Sequence, residues 1–180
     1  MNRRVWAQGR YLRAYATQEL RPVEAAIMAR HRERLSGRVL EAGVGAGRIA
    51  GHLIQLAEEF HGIDLSEKMI RECRRRYPQG TFLEGDISNL SVFADGTLDA
   101  LWAGCNLLDI FNDAERRATL REIHRVLAPG GAVGDVLAQP CVPVPRAGTA
   151  VCAHQQRAPP NSRCGAGAAI AMAPLATRAV

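Results

Sequence analysis

The spacing of apolar residues changes repeatedly along this chain, and each change marks a predicted element. Near the start Tyr11, Leu12, Tyr15 and Leu20 fall close to one helical face. Val23, Ala26, Ile27 and Leu35 continue with a similar period behind Pro22, a residue suited to a first helical turn. Two helices are expected ahead of any sheet, the second half-buried because Arg30 and Arg34 interrupt its apolar face, and Gly37 ends it. From Arg38 the pattern switches. Val39 and Leu40 form a short apolar run that closes on Glu41, Gly43, Gly45 and Gly47 follow, and Ile49, Leu53, Leu56 and Ala57 then recur at helical spacing. This reads as strand, tight turn, helix.

The alternation then repeats. Phe60 to Asp64 is a second strand and Ser66 to Arg76 a helix stopped before Pro78. Thr81 to Glu84 is a third strand running into Gly85-Asp86-Ile87, and Leu98 to Gly104 is a fourth, entered from the turn Ala94-Asp95-Gly96. Asn112 or Asp113 caps a last helix whose Leu120, Ile123, Val126 and Leu127 face inward, and Ala128-Pro129-Gly130-Gly131 turns toward a fifth strand. Such alternation implies a three-layer α/β domain with a mostly parallel sheet.

Past Val133 the character changes: there is no aromatic residue, six of the nine prolines, three of the five cysteines and no periodic apolar pattern. Gly134-Asp135 interrupts the expected fifth strand, and no candidate for a sixth or seventh follows. The chain is therefore divided into an N-terminal helical cap (1–36), an α/β domain (37–138) and a low-complexity, disordered tail (139–180). Two origins compete for the tail, a natural extension or translation in a shifted reading frame, and the second is favoured by the family resemblance given below, since a member of that family would need the missing strands to cover its sheet.

Charge and composition narrow the function. The net charge is +5, but residues 136–180 hold four arginines and no Asp, Glu or Lys, which leaves 19 basic residues against all 18 acidic ones in the body. A basic face for nucleic acid is not expected. The cationic start Met1-Asn2-Arg3-Arg4 has no apolar region behind it, so neither an export signal nor a membrane partner is expected. Five cysteines without a Cys-x-x-Cys pair indicate free thiols, a cytoplasmic location and no metal site.

The glycine turn carries the chemistry. Alternate glycines let a ligand lie against bare backbone, with amide N–H groups available to an anionic group. A dinucleotide fingerprint wants its third glycine at the sixth position, which here is Arg48. Asp64, 21 residues past Gly43, stands at a strand end, where nucleotide-binding sheets keep an acid for ribose hydroxyls. It could instead cap the next helix, but Ser66 is available for that.

Glu41 with the 43/45/47 glycines resembles motif I of the class I S-adenosylmethionine-dependent methyltransferases, and the Arg-Val-Leu-Ala-Pro-Gly-Gly run resembles the turn before their fifth strand. The resemblance covers about Ser36 to Gly131. It implies a Rossmann-like, doubly wound sheet of order 3-2-1-4-5, S-adenosyl-L-methionine as cofactor and methyl transfer to a small-molecule acceptor. In this reading Glu41, Gly43, Gly45 and Gly47 serve the methionine end, Asp64 the ribose, and Leu65 and Met69 the floor of the adenosine. Asp86 and the Ile87 amide serve the adenine, and Asn106 falls where the family contacts methionine and acceptor. Tyr11 and Tyr15 either line the substrate pocket or pack; no catalytic residue is singled out. Two alternatives stay open: a non-catalytic cofactor-binding fragment, and a nicotinamide-dependent oxidoreductase. Arg48 and the lack of a Tyr-x-x-x-Lys pair count against the latter, Lys68 being the only lysine.

Overall fold

The computed structural model describes residues 19–104, 107–135 and 173–174. Helix α1 (Pro22–Arg30) and a 3-10 turn (Arg32–Leu35) precede strand β1 (Arg38–Ala42). There follow α2 (Ala50–Ile54), β2 (Glu59–Asp64), α3 (Glu67–Arg76), β3 (Thr81–Glu84), β4 (Leu98–Ala103), a second 3-10 turn (Leu107–Ile110), α4 (Asp113–Val126), β5 (Leu127–Asp135) and β6 (Ala173–Pro174). The sheet order is β3-β2-β1-β4-β5-β6, parallel throughout except for β6. The expected 3-2-1-4-5 arrangement is present.

Alternation along β1 explains the layering. Val39 packs with Leu35, Leu53, Ile70 and Trp102 in the core on one side of the sheet, whereas Leu40 joins Leu98, Leu101, Ile123 and Val126 in the core on the other. Both faces are covered, as a parallel sheet requires. In register, β1 places Glu41 between Gly62 of β2 and Trp102 of β4. The chain leaves β1 toward β2 on one flank and returns through β4 on the other, so a crevice opens at the carboxyl ends of these strands.

Several elements depart from the sequence reading. The buried face of α1 is Glu24, Ile27 and Met28, and Ala26 is exposed, because Glu24 has a buried partner described below. Helix α2 begins only at Ala50 and ends at Ile54; the glycine turn occupies more chain than expected, and Leu56 and Ala57 pack beyond the helix end. On α4, Leu120 is 43% exposed and Thr119 is buried in its place. The cap of α4 is Asn112, which accepts from the Glu115 N–H at 2.9 Å, while the Glu115 carboxylate accepts from the Asn112 N–H.

The fifth strand is not interrupted at Gly134-Asp135. These residues pair with Trp102 and Ala103, and the irregularity lies earlier, where β5 advances from Leu127 to Ala132 while β4 advances only from Leu98 to Ala100. The expected turn at Ala128–Gly131 is thus a bulge inside β5, with Gly130 at φ +82°. The sequence offers no sixth strand, yet Ala173–Pro174 pairs antiparallel with Val133 and Ala132. Proline is tolerated there because an edge strand can leave one N–H side unused.

Candidate cofactor site

The crevice is a cleft with an empty volume of about 1060 Å³, counted out to open solvent. Its wall begins at the end of β1 with Glu41 and continues through Gly43, Val44, Gly45 and Ala46 of the glycine turn. Ile63 and Asp64 at the end of β2, Leu65 and Met69 leading into α3, and Gly85 and Ile87 after β3 form the far side. Leu107 and Ile110 of the second 3-10 turn close over it, and Arg48, Ile49 and Gly104 complete the lining.

The turn is tied to β2 rather than left open. The Val44 N–H donates to the Ile63 carbonyl at 3.0 Å, the Gly45 N–H to Asp64 Oδ2 at 2.9 Å, and the Gly47 N–H to the Val44 carbonyl at 3.0 Å. Its three glycines all have positive φ, which explains the residue type, but they do different work. A Cβ on Gly45 would meet nothing within 4 Å. One on Gly43 would stand 3.0 Å from the Leu107 methyl carbons, and one on Gly47 only 2.8 Å from the Tyr77 ring. Gly45 therefore opens a space beside the backbone, whereas Gly47 is fixed by packing and is not among the lining residues.

Asp64 uses both carboxylate oxygens: Oδ2 accepts from Gly45 and Oδ1 from the Ser66 N–H at 2.9 Å. This corrects the expectation that Ser66 caps α3, since the Ser66 side chain makes no capping bond and the Asp64 carboxylate orders the entry instead. Burial pushes the Asp64 carboxyl up, and its two backbone hydrogen bonds pull the other way without cancelling that shift. Each oxygen retains a second lone pair for a further donor.

Glu41 is 4% exposed, and its Oε2 has no hydrogen-bond partner among the described residues. Burial holds its pKa well above the usual carboxylate range; the Arg48 cation lowers it, and Glu24 and Asp64 raise it further. Arg48 in turn donates from Nη1 and Nη2 to the two Glu24 oxygens at 2.6 and 2.7 Å, in a bidentate pair whose side chains are 6% and 0% exposed. Glu24 also accepts from the Arg21 N–H. In the sequence Arg48 argues only against a dinucleotide, and nothing adjacent to it points to its partner. The available signal was an acid, Glu24, set into an apolar helical face.

Of the expected cofactor residues, Glu41, Gly43, Gly45, Asp64, Leu65, Met69 and Ile87 line one cleft. Asp86 stands between two lining residues but is not one of them, and its Oδ1 accepts from the Ser88 N–H and hydroxyl. Asn106, Tyr11 and Tyr15 lie outside the described residues. Leu107 and Ile110, from the same stretch after β4 as Asn106, add apolar wall. Among the described residues no cluster of His, Cys, Asp or Glu could hold a metal ion, and no helix is long and apolar enough to cross a membrane.

A parallel sheet with this strand order, a glycine turn after β1 and an acid closing β2 defines a Rossmann-like domain that takes a nucleoside-type cofactor at its switch point. Residues 39–131 match the family described as methyltransferase domain, and the chain belongs to that family. It is 35% identical over 95 residues to a malonyl-[acyl-carrier protein] O-methyltransferase of Pectobacterium atrosepticum, covering 53% of this chain and 36% of that one. It is 34% identical over 101 residues to a demethylmenaquinone methyltransferase of Chlamydia caviae, covering 53% and 42%. The chain thus matches about two fifths of the length of these relatives. Among solved structures, a TehB-like S-adenosylmethionine-dependent methyltransferase from Corynebacterium glutamicum superposes with a TM-score of 0.58 at 25% identity, covering 74% of this chain and 71% of that one. S-adenosylmethionine is the cofactor named for that protein, and these similarities give the nicotinamide alternative no support.

The cleft fits that cofactor. A buried acceptor without a partner, Glu41 Oε2, suits an ammonium group; the second lone pairs of Asp64 suit ribose hydroxyls; and the apolar stretch of Leu65, Met69 and Ile87 suits an adenine face.

Proposed function

We propose that this chain binds S-adenosylmethionine in the cleft and transfers its methyl group to a small-molecule acceptor. The observation that carries the reading is the partnerless Glu41 Oε2, buried on the wall of a cleft whose other end is held by Asp64. A buried acceptor left without a donor costs free energy unless a ligand completes it.

The sulfonium of the cofactor supplies an already activated methyl group, so no protein nucleophile is required. The share of the chain's own residues is to bind and align. Glu41 holds the ammonium end, Asp64 the ribose, and Asp86 with the Ile87 N–H offers the acceptor and donor that an adenine edge needs. Leu107 and Ile110 give the reacting end an apolar wall, and alignment of donor and acceptor supplies the rate enhancement. Arg48 balances Glu41, and the Glu24 carboxylate balances Arg48, so Glu24, which does not line the cleft, helps to set the charge within it.

The names of the similar proteins supply two acceptors to try, a malonyl thioester on an acyl-carrier protein and demethylmenaquinone. Incubating the full chain with methyl-labelled cofactor and each acceptor should move label onto one of them or onto another small molecule of a panel. Cofactor binding without label transfer to any would favour the non-catalytic fragment.

A further inference from the structure

We propose that Cys73 and Arg76, at the carboxyl end of α3, are positioning residues that turn an amide of the glycine turn toward the amino-acid end of the cofactor; this rests on the reading of the cleft above. Arginines in the last turn of a helix, as in the run Arg74-Arg75-Arg76, ordinarily make a solvated end that complements the dipole. Two of the three are committed to backbone carbonyls instead. Arg74 donates to the Phe82 carbonyl from Nε and Nη2 at 3.2 and 2.6 Å, which fastens α3 to β3. Arg76 Nη1 donates to the Ala46 carbonyl at 2.6 Å, and its guanidinium lies 5.1 Å from the centre of the Tyr77 ring. One turn earlier the fully buried Cys73 Sγ donates to the Gly45 carbonyl at 3.1 Å. Burial, with Glu41 and Asp64 nearby, pushes that thiol up to about 12, so it stays a donor at every physiological pH.

Glycines at 45 and 47 leave the turn with little side-chain restraint on the orientation of its peptide planes. The two donors from α3 provide it. In a trans peptide the C=O and the following N–H point in opposite directions. Holding the Gly45 carbonyl toward α3 therefore sends the Ala46 N–H to the other side, and Ala46 lines the cleft. Holding the Ala46 carbonyl sends the Gly47 N–H away from α3, where it meets the Val44 carbonyl. Tyr77 backs the same turn, since a Cβ on Gly47 or Gly51 would come within 2.8 Å of its ring. The result is one amide presented as a donor, from a turn whose neighbouring N–H groups at 44, 45 and 47 are already used. A carboxylate is the cofactor group that needs such a donor.

Two probes separate that end of the ligand from the rest: S-adenosylhomocysteine, which carries the amino acid, and 5′-methylthioadenosine, which lacks it. In the full chain, Arg76→Met should weaken S-adenosylhomocysteine roughly tenfold, the equivalent of one hydrogen bond to a charged group, and leave 5′-methylthioadenosine within about twofold. Arg76→Lys should restore most of the loss. In the ligand-free protein the amide resonances of Gly45, Ala46 and Gly47 should move more than those of the sheet. Should Arg76→Met fail to fold, Cys73→Ala against Cys73→Ser makes the same comparison, the serine keeping a donor and the affinity. A folded Arg76→Met or Cys73→Ala that binds S-adenosylhomocysteine as the parent does, or that loses both probes equally, overturns the proposal. If the parent chain itself binds neither probe, the reading of the cleft fails and the positioning role goes with it.

Discussion

Glu24 and Glu41 are both buried acids near Arg48, and their pKa values move in opposite directions. At Glu24 burial pushes the carboxyl up, but hydrogen bonds from Arg48 and from the Arg21 N–H outweigh it, and the pKa ends below the ordinary range. At Glu41 burial dominates and the pKa ends well above it. A carboxyl whose pKa is higher in the folded chain than in the unfolded one binds more protons when folded, so between those two values stability falls as pH rises. Glu41→Gln should remove this slope. The melting temperature of the ligand-free variant should overtake that of the parent as pH rises above the ordinary carboxylate range, while affinity for the cofactor drops; a variant less stable than the parent across pH 5–8 would contradict the assignment. Asp64→Ala should weaken S-adenosylmethionine by about tenfold or more, the loss of charge-assisted bonds of roughly 1.5–3 kcal/mol, and an unchanged dissociation constant in a folded variant would sink the ribose role. Glu41 and Asp64 could be found in the sequence because each closes an apolar run beside a glycine or a helix start. The Glu24–Arg48 pair could not, since its partners are 24 residues apart and nothing local couples them.

At the scale of elements, that pair fastens α1 to the glycine turn, the only bidentate side-chain contact with both partners buried among the described residues. Removing one member of such a pair takes the acceptors from a buried cation and costs about 3–5 kcal/mol, whereas replacing both by apolar residues of similar volume costs far less. Glu24→Ala should therefore lower unfolding stability in urea by about that amount and loosen α1, and the double change Glu24→Leu with Arg48→Met should recover much of it. A loss below about 1 kcal/mol for Glu24→Ala would show that α1 is held by apolar packing alone. The sequence placed strands β1 to β4 to within a residue or so because buried parallel strands are short apolar runs with sharp ends. Helix phase was less legible. An acid on the buried face of α1, and Thr119 in place of Leu120 on α4, are choices made by tertiary partners and not by periodicity.

For the whole molecule, the order of strands and the position of the cleft followed from the alternation of elements, since right-handed crossovers leave few ways to arrange them. The far flank did not. A glycine and an aspartate read as breaking β5, yet neighbouring β4 supplies the ladder that carries the strand through both, and the two-residue β6 has no sequence signature at all. Whether the switch-point cleft takes S-adenosylmethionine is decided by calorimetric titration of the full chain with S-adenosylmethionine and, separately, with NAD. A cleft built for S-adenosylmethionine should give saturable one-to-one binding of that cofactor, competed by S-adenosylhomocysteine, and no heat of binding from NAD. Saturable binding of NAD, or no binding of S-adenosylmethionine to folded protein, would contradict that reading of the cleft.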